Sequence, residues 1–243
     1  MTEARTNQAA RNNAAWCDAV CRAHGRPGEF WDGIWINRHE TPRFYPNAVT
    51  LSATASAAQL EQIDDLTRAP LVGEWAVKDS FCTLDLVPHG FRVLFTADWT
   101  WRPPSRPRPN DAIAGARWVR MRTAADLAAW EAARSGKPAT ADIFRPALLD
   151  DETISVFAAC REGRIVAGGI ANRTGEVVGL SNLFVPAHDG DAFRADCVAA
   201  VIAAFPDLPI VGYEHGEDLA TARALGFETV GPLRVWVRAL TSD

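Results

Sequence analysis

Apolar and small residues recur at helical spacing over about 8–24 and near Ala55–Leu66, so both stretches are expected to form helices with one buried stripe. Phe30–Asn37, Phe44–Leu51, Ser80–Leu86 and Phe91–Trp101 are short apolar runs that read as extended segments or strands. At Arg102-Pro-Pro-Ser-Arg-Pro-Arg-Pro-Asn110 the closely spaced prolines remove backbone donors, so neither helix nor central strand runs through. Beyond this break Arg117–Met121 reads as a strand, and Thr123 is placed to cap a helix running to about Ala133. Ile154–Arg161 and Arg164–Asn172 read as two strands joined by the hairpin signal Glu162-Gly163, and Val177–Val185 as a third. A helix over Asp191–Phe205, a short buried strand over Pro209–Tyr213, a helix over Asp218–Leu225 closed by Gly226, and a strand over Thr229–Arg238 complete the order. The pattern β-α-β-β-β-α-β-α-β predicts an α/β protein with a mixed central sheet flanked by helices.

The chain also repeats itself. Asn47 in PNAVTL and Asn182 in SNLFVP stand 135 residues apart, the Gly-Phe pairs at Gly90 and Gly226 stand 136 apart, and Trp101 and Trp236 stand 135 apart. Three landmarks at one offset, with similar elements between them, predict two units in tandem. The expected division is an N-terminal unit over residues 1–102, a Pro/Arg linker over 103–115, and a more complete C-terminal unit over 116–243.

Composition narrows the function. A chain of 243 residues with 48% hydrophobic content is not a disordered or fibrous one. Lys and Arg number 25 against 30 Asp and Glu, and a net charge of −5 has the wrong sign for nucleic acid or an anionic membrane. The longest strongly apolar run, Cys197–Phe205, is too short for a bilayer, and the first residues carry no secretory pattern. A soluble, cytoplasmic protein with reduced cysteines is expected, without a nucleic-acid or membrane partner. Cys17, Cys21 and His24 share a face of the first helix, and His39 could join them, but the spacing is no standard zinc pattern. Core packing is expected of the cysteines, and no metal. The tryptophans of WDGIW (Trp31–Trp35) and WTW (Trp99–Trp101) are read first as core, with a ligand platform as the other reading.

The hairpin REGRIVAGG (Arg161–Gly169), the strand VVGLSNLFVP (Val177–Pro186) and DLATARALGFETVGPLRVWVR (Asp218–Arg238), in this order, resemble the GNAT superfamily of acyl-CoA-dependent N-acyltransferases. The resemblance covers the second half of the chain closely and, through the repeat, the first half in degraded form. It implies a bulged fourth strand, Val177–Val185, splaying from the fifth, Pro209–Tyr213, with the acyl-CoA in the wedge. It further implies that Leu183, Phe184 and Val185 pair with the pantetheine arm, and that Gly190, Ala192 and Arg194 approach the phosphates from the loop entering the next helix. Glycines and a helix N-terminus suit a pyrophosphate because they bring N–H donors close. Asp189 and Asp191 flank Gly190 and depart from the family pattern; they repel a pyrophosphate, or one of them caps the helix. Where the family commonly has a tyrosine, four residues before the Gly-Phe glycine, this chain has Ala222.

Tyr213-Glu214-His215 could supply acid and base instead, or Tyr213 could simply cap a core ahead of a solvated turn. Ser181 and Asn182 could meet the acyl carbonyl or the amine, or bond a neighbouring strand. The implied activity is transfer of acetyl from acetyl-CoA to an amine of a small molecule or protein, with Tyr213, Glu214, Ser181 and Asn182 as catalytic candidates. The alternative is a catalytically silent GNAT-fold module that binds a ligand or another protein.

Overall fold

The computed structural model describes residues 2–68, 74–109, 116–136 and 143–239. Helix α1 (Thr2–Ala23) starts earlier than its apolar spacing predicts and buries Ala9, Ala10, Ala14, Cys17, Val20 and Cys21. The single extended segment expected over Phe30–Asn37 is instead a hairpin. Gly33, at a φ of 84°, turns β1 (Glu29–Trp31) back on β2 (Ile34–Ile36). β3 (Ala48–Thr50) pairs antiparallel with β2, and α2 (Ser56–Thr67) carries the chain to β4 (Glu74–Asp79), which lies parallel to β3.

The strand expected at Ser80–Leu86 does not form. These residues wrap the buried carboxylate of Asp79, which accepts the N–H groups of Phe81 (3.4 Å), Thr83 (3.2 Å) and Leu84 (3.0 Å). A buried carboxylate needs such donors, and donors aimed at it are lost to a strand ladder. A 3₁₀ turn at Val87–His89 then ends in left-handed Gly90 and leads into β5 (Arg92–Arg102). Residues 103–109 follow as irregular chain; residues 110–115 of the expected linker lie outside the described residues.

The second half follows its periodicity closely: β6 (Arg117–Arg120), α3 (Ala124–Ser135), β7 (Ile154–Arg161), β8 (Arg164–Thr174), β9 (Val177–Phe184), α4 (Gly190–Ala204), β10 (Ile210–Glu214), α5 (Gly216–Ala224) and β11 (Glu228–Ala239). Thr123 opens α3 with a reciprocal cap, accepting the Asp126 N–H while the Asp126 carboxylate accepts the Thr123 N–H. Glu162 and Gly163 both take positive φ, 51° and 75°, the geometry of the tight turn their sequence predicts.

The chain divides into two compact units. One comprises Met1–Thr100, Tyr213–Leu219 and Thr229–Asp243; the other comprises Trp101–Gly212 and Ala220–Glu228. The first orders its strands β1-β2-β3-β4-β11-β5. Its β4 pairs antiparallel with β11, from Glu74↔Ala239 to Asp79↔Arg234, so the last strand of the chain completes the sheet of the first unit. Ile34, Ile36, Ile63, Leu66, Trp75, Val77 and Trp236 make its core under α2. The second unit orders its strands β10-β9-β8-β7-β6: an antiparallel meander followed by a parallel step across α4. Phe157, Ala171, Val178, Val198, Val201, Ile210 and Phe227 form its core. Each such aliphatic or aromatic side chain contributes on the order of 1.5–3 kcal/mol by leaving water. Both units therefore contain one parallel β-α-β step, β3-α2-β4 and β9-α4-β10.

Cys17 and Cys21 are core residues, and burial pushes their thiols up to about 11 and about 12. Trp35 and Trp99 are buried as well, whereas Trp31 is about half exposed. Among the described residues no helix is long and apolar enough to cross a membrane.

Candidate functional site

The second unit's site starts from a break in register. β8 and β9 pair at Gly168↔Phe184 and at Ile170↔Ser181, so β9 takes three steps where β8 takes two. The extra residue is a β-bulge, and Asn182 absorbs it with a φ of 53°. Its side-chain amide donates to the Ser181 hydroxyl at 3.0 Å, so these two polar residues bond each other at the bulge. Phe184 reaches over Gly168 to meet the indole of Trp130 edge-on, with ring centroids 5.3 Å apart.

On its other edge β9 is parallel to β10, and that ladder holds only Ile210↔Val178 and Val211↔Gly179. β9 then continues to Phe184, and Leu180 through Val185 are half-buried. A parallel pair that stops short while one strand continues leaves an edge with backbone N–H and C=O groups for an extended amide chain.

Five residues, 185–189, separate the end of β9 from Gly190, where α4 begins. Asp189 occupies the N-cap position but adopts a left-handed conformation with φ 63°, and its side chain makes no capping bond. The capping role weighed for Asp189 is thus not filled. The N–H groups of the first turn have no partner within the helix and carry the positive end of its dipole. Gly190 has no Cβ, and one placed there would stand 3.2 Å from Val185 Cγ2; the close approach of loop to strand depends on its absence. Ala192 and Arg194 are half-buried on the same first turns, whereas Asp189 and Asp191 are exposed. Exposure decides the electrostatic question: in water each carboxylate opposes a pyrophosphate charge about 4 Å away by about 1 kcal/mol rather than the several expected of a buried one.

A cation that sequence reading missed stands beside this helix end. The Arg161 guanidinium lies 5.3 Å over the ring of Phe193, and its Nε is buried without a partner. Arg161 ends β7 just before the hairpin turn, a position that reads as surface charge in the sequence. At the other end of the unit α5 closes at left-handed Gly226, and buried Phe227 returns its N–H to Ala222 O at 3.1 Å. Ala222 packs against the core and offers no hydroxyl.

Leu183, Phe184, Val185, Gly190, Ala192, Arg194, Ser181 and Asn182 are thus gathered on one strand, loop and helix start of the second unit. Tyr213 and Glu214 are counted with the first unit. There the Tyr213 ring meets Trp99 edge-on with centroids 5.6 Å apart, and the Lys78 ammonium stands 4.3 Å above it. Glu214 is half-buried, and the exposed His215 lies against Phe95 at 5.6 Å.

The second unit thus combines a meander ending in a bulged strand, a parallel neighbour that leaves it early, and a helix closed by Gly-Phe. No family model matches the chain, and no curated protein matches it. Solved structures do. The chain is similar to a GCN5-related N-acetyltransferase from Kribbella flavida at a TM-score of 0.63 and 16% identity, over 97% of this chain and 96% of that one. It is similar to a GCN5-related N-acetyltransferase-like protein from Streptococcus suis at a TM-score of 0.52 and 13% identity, over 98% and 100% of the two chains. A tandem GNAT protein from the clavulanic acid biosynthesis pathway matches at a TM-score of 0.53 and 16% identity, over 77% of this chain and 70% of that one. At these identities the likeness is one of fold.

Proposed function

We propose that the chain is an acyl-CoA-dependent N-acyltransferase that moves an acetyl group from acetyl-CoA to an amine of a small molecule or protein. The observation that carries this reading is the parting of β9 from β10 after Gly179↔Val211, next to an uncapped helix start at Gly190. Leu183–Val185 would hold the pantetheine amides as an added strand, and the N–H groups of the α4 first turn, with Arg194 and Arg161, would meet the phosphates. Most of the rate would come from holding amine and thioester together, since Ala222 carries no acid for the departing thiolate. Ser181 and Asn182 at the bulge are the candidates for the acyl carbonyl, and Tyr213 and Glu214 those for proton handling.

Isothermal titration with acetyl-CoA and with CoA, and release of free thiol in the presence of an amine panel, test the proposal. Binding to the intact chain should be lost on Gly190→Phe, whose ring cannot share space with Val185. The absence of heat with either ligand at millimolar concentration would refute it. Ala222 favours one further reading, a silent module; tight binding of acetyl-CoA without thiol release from any amine would establish that reading over the enzyme.

A further inference from the structure

We infer that the first unit holds a binding site for the carboxylate of a small organic acid, built on Lys78 and Ser80. Lys78 is 5% exposed and sits opposite Val49 in the last pair of the β3–β4 ladder. Its ammonium donates to Asn13 Oδ1 on α1 at 2.8 Å and stands 4.3 Å above the ring of Tyr213. Among the described residues no carboxylate lies within ion-pair distance of it. An ammonium has three N–H donors, so one neutral amide and one ring face leave a donor and the charge unmatched. The carboxylate next in the chain, Asp79, is taken by the N–H groups of Phe81, Thr83 and Leu84. Cys17 is close by, but its buried thiol stays protonated and supplies no counter-charge.

The second unmatched group is two residues on. Ser80 is fully buried, and its hydroxyl has no partner. Ser80 is the first residue past β4, and its N–H donates to Thr50 Oγ1 on β3 at 2.8 Å. Trp99 ties the two together: its Nε1 donates to Ser80 O at 2.9 Å, and its ring meets Tyr213. A buried ammonium without a counter-charge and a buried hydroxyl without a partner are both costly, and neither is common in a folded core. One carboxylate answers both, accepting from Lys78 with one oxygen and from Ser80 with the other. The rings of Trp99 and Tyr213 would flank its apolar part. A single cation beside a single hydroxyl matches a monoanion, and an amine would be repelled. This site belongs to the first unit and does not depend on the acyl-transfer reading.

Titration calorimetry of the full chain with sodium acetate, sodium benzoate and the neutral isostere benzamide tests the inference. Saturable binding of at least one acid and none of benzamide is expected. Lys78→Met should abolish that binding, and Ser80→Ala should weaken it roughly tenfold, as loss of one bond to a charged group does. No saturable heat from either acid at tens of millimolar, or binding of either that survives Lys78→Met, overturns the site. If Lys78→Met does not fold, Ser80→Ala decides: weaker binding supports the site and unchanged affinity overturns it.

Discussion

Gly168→Ala is the substitution whose cost the second unit specifies most fully. A methyl at Gly168 would overlap the Trp130 indole nitrogen, stand 2.7 Å from Phe184 Cε1 and 2.8 Å from the Phe157 carbonyl oxygen. None of these neighbours is a free end. Trp130 is fully buried, its Nε1 donates to Phe157 O at 2.8 Å, and its ring is held edge-on by Phe144 on one side and Phe184 on the other. Relief requires that Trp130 move, which breaks that bond and leaves a buried donor unmet. Overpacking and the lost bond together come to roughly 2–6 kcal/mol. In a chain of this length that lowers the melting temperature by about 5–20 °C. Gly175→Ala is the control: it too adds a methyl, but its φ of 58° meets nothing within 4 Å. Only backbone strain, about 1–2 kcal/mol, is then expected. Scanning fluorimetry and the near-ultraviolet circular dichroism of the tryptophans check both. Because Phe184 ends the bulged strand, Gly168→Ala should also weaken the acetyl-CoA binding proposed for that strand. A Gly168→Ala protein that melts no lower than Gly175→Ala, with its tryptophan signal unchanged, refutes the packing argument.

Two further outcomes follow from the buried polar groups. Burial holds the thiols of Cys17, Cys21 and Cys197 up to about 11, 12 and 12, so each stays protonated in the folded chain where the unfolded thiol ionises from about 9. The folded state therefore binds more protons above that point, and stability should fall as pH rises from about 9 toward 12. Urea titrations across that range check the sign, and alkylation at pH 8 should spare these three thiols until the chain unfolds. Arg102, buried at the end of β5, donates from Nε to Leu225 O at 2.9 Å and thereby closes the end of α5. Arg102→Met should destabilise the second unit by about 1–3 kcal/mol, read as a lower urea midpoint at an unchanged slope.

What the sequence made legible was local. The Glu162-Gly163 turn, the Thr123 cap and the Gly226 helix stop each depend on residues within a few positions, and each stands where its local chemistry places it. The hairpin at Gly33 had its signal too, an Asp-Gly pair, but aromatic and aliphatic neighbours made the stretch read as one strand. β4 carries Glu74, Lys78 and Asp79 and looks too polar for a central position. It is central because β11, about 160 residues further along the chain, pairs with it, and no local pattern encodes that register. The same distinction separates the candidate residues named from the sequence from those that only the structure brings forward. Gly190 and Asn182 entered as candidates through the family resemblance, and the helix start and the bulge that they make are each built by adjacent residues. Arg161 and Lys78 were missed because a cation's solvation depends on what covers it, and the cover comes from elsewhere: Phe193 for one, Asn13 and Tyr213 for the other. Unmatched charge is thus a product of tertiary packing. It follows that, in this chain, the cations covered by residues distant in sequence are the ones least visible before the fold is known.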